Sequence, residues 1–128
     1  MAETYMFLIR EPDWDSDKVM TGQMTPEIAE TMGAHGAFAE AVEKLGAKLT
    51  GGQALQNAKY GGVVTPGQGE RATEDAVYTD SPYADSSELI TGFYLVECDD
   101  DTQAKHVAAL VPSGGTVEWR KVLPMSDG

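Results

Sequence analysis

Two histidines, one cysteine and 21 acidic side chains supply what this chain has for chemistry near neutral pH. His35 is the most informative of them. It follows Met32 by three positions and precedes Phe38 by three, a spacing that places all three on one face of a helix. Its ring is therefore expected to be buried or half-buried against a sheet. An imidazole there can serve as general acid or base at the wall of a cavity. Asp80, at the end of a strand-like stretch, is the expected partner that orients or charges the ring. Each has a plainer reading beside this one. His35 can be a core histidine satisfied by one hydrogen bond, and Asp80 a turn residue in Asp80-Ser81-Pro82 whose carboxylate bonds backbone N–H groups two residues on. Tyr83 and Tyr94 offer phenol hydroxyls to a ligand or simply pack. Glu88 and Asp85 line a pocket mouth or solvate a loop.

Other chemistries fail on inventory. His35 and His106 fall on different helical stretches, and His106 lies off the apolar stripe of its own, so no multi-histidine metal site is expected. The Gly61-Gly62 and Gly67-Gln68-Gly69 stretches lack the strand-to-helix setting and the lysine of a phosphate loop. No metal or cofactor is expected. Cys98 sits in an apolar strand pattern and reads as inert. Asp99, Asp100 and Asp101 resemble a cation trap but stand where a helix needs an acidic cap. Nine Lys and Arg against 21 Asp and Glu give a net charge of −12, which repels a phosphate backbone, and only Arg120 and Lys121 are neighbours among the cations. Nucleic acid is not an expected partner. Purely apolar runs such as Met6 to Ile9 are far short of the roughly 20 residues that span a bilayer, so no membrane association is expected. The absence of a basic, apolar and small-residue leader pattern, together with a single cysteine, points to the cytoplasm.

The elements that must position these side chains can be read from patterning. Thr4 to Arg10 is a strand whose two alternating sets, Tyr5/Phe7/Ile9 and Met6/Leu8, are both apolar, so both faces need cover. Glu11 to Gln23 reads as a loop holding a short turn. Thr25 is a good N-cap and Pro26 suits the first helical position. From there Ile28, Met32, Phe38, Ala39, Val42 and Leu45 form an apolar stripe that Gly46 ends. Ala47 to Val64 is strand-like but broken by glycines, suggesting two strands. Thr65 to Asp75 is an exposed hairpin or loop, Ala76 to Thr79 a short strand, and Gly92 to Cys98 a strand apolar on both faces. Thr102 to Val111 is a second helix with Ala104, Val107, Ala108 and Val111 on one stripe. Thr116 to Leu123 is a last strand with one wetter face.

That order is the split βαβ pattern of ferredoxin-like domains with an elaborated middle: an α+β fold with helices on one face of an antiparallel sheet. The uncovered face, apolar in two strands, is expected to pack on a second copy, giving a homodimer whose two sheets enclose a cavity; a monomer with a long loop folded over that face is the structural alternative. At 128 residues one domain is the default, here 1–124, with 125–128 expected to fray.

Several stretches resemble YCII-related proteins of the DGPF type: Tyr5-Met6-Phe7-Leu8-Ile9, the helix from His35 to Gly46, Gly51-Gly52-Gln53-Ala54-Leu55, the run from Asp80 to Glu88, Gly92-Phe93-Tyr94-Leu95-Val96 and Gly115-Thr116-Val117-Glu118. Within the family's Asp-Gly-Pro-Phe-Ala-Glu signature this chain keeps Asp80 and Pro82, with Ser81 for Gly, Tyr83 for Phe and Asp85 for Glu. The resemblance implies a dimeric α/β-barrel form of the ferredoxin-like fold and a His–Asp pair made of His35 and Asp80. By superfamily analogy it implies proton-transfer chemistry, isomerase- or lyase-like, on a small organic acid; from their residue types, Tyr83, Tyr94 and Glu88 are the expected ligand contacts. The alternative is a non-catalytic accessory protein acting with an alternative sigma factor, its acidic surface engaging a basic partner.

Overall fold

The computed structural model describes residues 2–23, 25–79 and 89–125. Strand β1 (Glu3–Glu11) is followed by a single helical turn, α1 (Asp17–Met20), and by the long helix α2 (Pro26–Lys44). Then come β2 (Lys48–Ala54), a short hairpin of β3 (Val63–Thr65) and β4 (Val77–Thr79), the long strand β5 (Leu89–Cys98), helix α3 (Asp101–Ala109) and β6 (Thr116–Lys121).

The sheet runs β2-β5-β1-β6, every neighbouring pair antiparallel. The two strands with apolar residues on both alternating sets, β1 and β5, are its centre. This is the ferredoxin-like α+β arrangement expected from the element order. The middle of the chain resolves into something more specific: β4 does not join the main sheet but pairs with β3 alone, Val64 opposite Tyr78.

Helices α2 and α3 begin where local chemistry says they should. The Thr25 side chain accepts from the Ile28 backbone N–H at 3.2 Å, Pro26 fills the first helical position, and Gly46, at φ +83°, lets the chain leave α2 through a left-handed residue. Asp100 caps α3 by accepting from the Gln103 N–H at 2.8 Å. The Gln103 side chain donates to the Leu45 carbonyl at 2.8 Å, tying the start of one helix to the end of the other.

Tyr5, Phe7 and Ile9 project to one face of the sheet and are buried there with Val96 and Cys98 of β5, Phe38 and Val42 of α2, and Ala104, Val107 and Ala108 of α3. Tyr94, Leu49, Val117 and Trp119 pack against that cluster. Both helices thus contribute to one core on one face. The opposite set, Met6 and Leu8 with Phe93 and Leu95, is only partly buried.

The helical stripe departs from its expected burial. Phe38 and Val42 are fully inside, whereas Met32 is 53% exposed and Leu45 44%. Only the middle and C-terminal turns of α2 press on the sheet; the N-terminal turns stand over a gap.

The segment between β1 and α2 has no apolar periodicity because hydrogen bonds, rather than burial, hold it. The Trp14 indole donates to the Leu55 carbonyl at 2.8 Å. The buried Ser16 hydroxyl accepts from the Asn57 N–H at 2.7 Å, and Asp13 accepts from the Ala58 N–H at 3.0 Å. Asp17 takes the Tyr60 hydroxyl at 2.7 Å and an ion pair with Lys59. The loop is strapped across the end of β2, where it becomes a wall.

Candidate functional site

The gap beneath the N-terminal half of α2 is a half-open cavity of about 750 Å³. Its existence follows from what the sheet lacks there. On the helix-covered face, at the ends of β2 and β5, the positions are Gly52, Ala54 and Gly92, so no side chain fills the floor. Ile9 and Tyr94 border that floor, Ile28, Thr31, Met32 and His35 of α2 form the roof, and the strapped loop closes one side with Trp14, Asp15 and Lys18. The volume lies in the range of small-molecule pockets.

His35 stands where the cavity meets the core. Its Nδ1 is 2.6 Å from the Tyr94 hydroxyl, and the Tyr94 ring in turn packs on Phe38 with centroids 4.9 Å apart. The tyrosine is thus fixed by the core and fixes the histidine. Gly52 is part of this arrangement: a Cβ there would lie 2.7 Å from both the Phe93 carbonyl oxygen and Cδ1 of Tyr94, so the ring occupies the space a side chain would need. With Nδ1 engaged, Nε2 is the ring nitrogen left for a ligand.

Burial lowers the His35 pKa from its ordinary value, and the negative charge of Glu11 acts in the opposite direction without cancelling it. The imidazole is therefore neutral at pH 7. Burial also raises the Tyr94 pKa, keeping the phenol protonated. Two neutral groups share one short hydrogen bond, and either tautomer suits it. With Nδ1 donating to the phenol oxygen, Nε2 presents a lone pair and acts as a base. With the phenol donating to Nδ1, Nε2–H acts as a donor.

Glu11, at the end of β1, is the cavity residue that sequence patterning left inside a loop. Its carboxylate is held from two directions: the Thr91 hydroxyl donates to Oε1, and the Gly114 N–H donates to Oε2 at 2.7 Å. Thr91 reaches it because β5 carries an extra residue there. Ile9 pairs with Gly92 and Arg10 with Ile90, leaving Thr91 in a bulge, and bulges re-aim side chains in this way. Gly114-Gly115, between α3 and β6, also serves this carboxylate. A Cβ on Gly115 would sit 2.1 Å from the Arg10 carbonyl oxygen, so the close approach that delivers the Gly114 N–H requires glycine.

Of the residues expected at the site, His35 and Tyr94 come together. Asp80, Tyr83 and Glu88 lie outside the described residues, as does the rest of the Asp80 to Glu88 signature. Glu11, Thr91, Trp14 and Lys18 were not foreseen. The bulge had no sequence signal beyond Thr91-Gly92 following two branched residues, whereas the glycine pair after Pro112 could have been read as a backbone donor. Cys98 is buried, with its thiol pKa raised by that burial and by Asp99 and Asp100, in keeping with an unreactive side chain. No described helix is long and apolar enough to cross a membrane.

Comparison with curated proteins gives no match. The family model of the YCII-related domain matches residues 5–126 of the 128, from the first core tyrosine of β1 to beyond β6, and so takes in every element that builds the cavity; the chain belongs to the YCII-related family.

Proposed function

We propose that the protein binds a small organic molecule in the cavity under α2 and moves a proton on it, with His35 as the acid–base group and Tyr94 as the residue that holds its ring in orientation. The observation that carries this reading is an imidazole bonded at Nδ1 to a core-anchored tyrosine and bordering a cavity of ligand size. A base must be unprotonated and within reach of substrate to act at neutral pH, and the lowered pKa of His35 meets the first condition. An isomerisation needs a proton removed at one carbon and returned at another; an elimination needs a proton removed at one carbon, its electron pair forming the double bond as the leaving group departs from the neighbouring carbon and takes up a proton. One imidazole with a phenol beside it suffices for that. Asp80 is assigned here, from the sequence, as a further orienting or charging group for His35, and Tyr83 and Glu88 as ligand contacts.

A homodimer is part of the proposal. Met6, Leu8, Phe93 and Leu95 share the sheet face without helices and are only partly buried, the pattern of a surface that a second sheet would cover. Replacing Leu95 by Glu should give monomers in sedimentation while leaving the helix-side core intact.

The test follows His35 itself. Imidazole resonances are recorded against pH and against a panel of small carbonyl compounds, and exchange of their activated C–H protons into D2O is measured with the wild type, His35→Gln and Tyr94→Phe. A perturbed His35 and exchange that drops by two to four orders of magnitude in His35→Gln are expected, general acid–base catalysis being worth about 10²–10⁴. A ring silent to every compound, with equal exchange in the variant, would remove the reading. Cellular capture of a partner that survives His35→Gln and fails only on surface charge reversal would put an accessory role, such as one beside an alternative sigma factor, in its place.

A further inference from the structure

The charge of the cavity wall narrows the ligand. All nine Lys and Arg of the chain fall among the described residues, and of these only Lys18 lines the cavity. It leans toward Asp15, with Nζ to Oδ2 4.0 Å. Against it, three carboxylates line the same cavity, Glu11, Asp15 and Glu27. His35 adds no positive charge at neutral pH, since burial holds its pKa down.

Besides Lys18, the feature among the described residues that would favour an anion is the N-terminus of α2, and most of its donors are already used. The Ile28 N–H is taken by the Thr25 hydroxyl, Pro26 has no N–H to offer, and Glu27 places its own carboxylate in the first turn. Glu11 differs from the other two acids in being held. The Thr91 hydroxyl and the Gly114 N–H fix both oxygens, and no Lys or Arg forms an ion pair with it among the described residues. A carboxylate oriented by two neutral donors, facing a space bordered by Ile9, Ile28 and Met32, fits an ammonium group carried on an apolar body.

We infer that the ligand of this cavity is a cationic amine with a hydrocarbon or aromatic body, its ammonium paired with Glu11, rather than the small organic acid expected from the sequence. The inference rests on the pocket reading above and gives it a substrate class. It assigns Glu11 to binding and leaves proton transfer with His35.

A matched series separates the two statements. 2-Phenylethylamine, 2-phenylethanol and 3-phenylpropionate share one apolar body and differ in charge. Each is titrated against the full chain at low and at high ionic strength, with the His35 imidazole resonance and the melting temperature as readouts. The amine should bind at least about tenfold more tightly than the propionate, a difference of about 1.4 kcal/mol, and added salt should narrow that gap. Glu11→Gln should bring amine and alcohol together. Because that variant also loses a partner of Gly114, the pair Asp15→Asn and Glu27→Gln, at exposed positions, is measured alongside and should reduce the amine preference by a smaller factor. Propionate binding equal to or tighter than the amine overturns the charge assignment and leaves the pocket standing. If none of the three moves the His35 resonance, the pocket reading itself falls, and this inference with it.

Discussion

The two halves of helix α2 lie over the same sheet and do opposite things. In the C-terminal half, Phe38 and Val42 are buried against Phe7, Tyr94 and Val96. In the N-terminal half, Ile28, Met32 and His35 continue the same periodicity, yet meet Gly52, Ala54 and Gly92 where the other half meets large side chains. Periodicity fixes which way a helix faces; the side chains beneath fix whether it packs or spans a void. A stripe that is half core and half cavity roof places a polar residue at the junction, with its back to tyrosine and phenylalanine and its front to open space.

The comparison breaks most visibly at Phe38. Its ring is buried and stacks on Tyr94, so Phe38→Ala should cost about 3–5 kcal/mol, read as a lower midpoint in urea unfolding. It should also free the Tyr94 ring and broaden the His35 resonance. A cost under about 1 kcal/mol would mean that the packed half is no better packed than the open one.

Gly52 tests the boundary from the sheet side. Because an added Cβ meets the Phe93 carbonyl and the Tyr94 ring at 2.7 Å, Gly52→Ala should cost about 1–3 kcal/mol as overpacking. The ring must move to admit the methyl, so the short bond to His35 should lengthen and the histidine pKa change with it. An alanine tolerated without cost, leaving the His35 titration unaltered, would show that Tyr94 does not depend on the glycine.

A third effect is a pH dependence with a defined sign. Burial holds the folded-state pKa of His35 below its unfolded value of about 6.5. Between those two values the unfolded chain binds more protons, so stability rises with pH through that window and falls as the solution is acidified from about 6.5. Relative to His35→Gln, the wild type should lose stability between pH 7 and pH 5. A gain on acidification would mean that attraction to Glu11 outweighs desolvation, and that the ring is more open to water than its packing implies.

Much of this was legible in the residues before any coordinates. Apolar sets on both faces of β1 and β5 foretold the two central strands, and Thr25-Pro26 and Asp100 marked the helix starts through local chemistry that tertiary structure does not override. His35 was placed by spacing alone. Glu11 escaped because its role depends on Thr91 and Gly114, 80 and 103 positions away, and on a bulge that periodicity cannot show. The strap from Asp13 to Asp17 escaped for a related reason: side-chain bonds to Leu55, Asn57 and Ala58 leave no apolar repeat to read. The pairing of β4 with β3 could not be read, since three residues such as Val77-Tyr78-Thr79 carry β propensity and no information about their partner.

Met32 should give the smallest change in stability and the sharpest contrast with Phe38. The two residues occupy the same stripe, six positions apart, and sequence reading ranks them alike. Met32 is 53% exposed and borders the cavity rather than the core. Truncating it to alanine removes few buried contacts, so unfolding stability should stay within about 0.5 kcal/mol of wild type. The same truncation widens the cavity roof beside His35 and strips apolar surface from it. Binding of an apolar-bodied ligand should therefore weaken by more than the fold does, with the affinity loss following the lost contact area. If Met32→Ala instead destabilised the protein as strongly as Phe38→Ala, the N-terminal turns of α2 would have to be packed in solution, the space beneath them would be closed, and His35 would face side chains instead of a ligand.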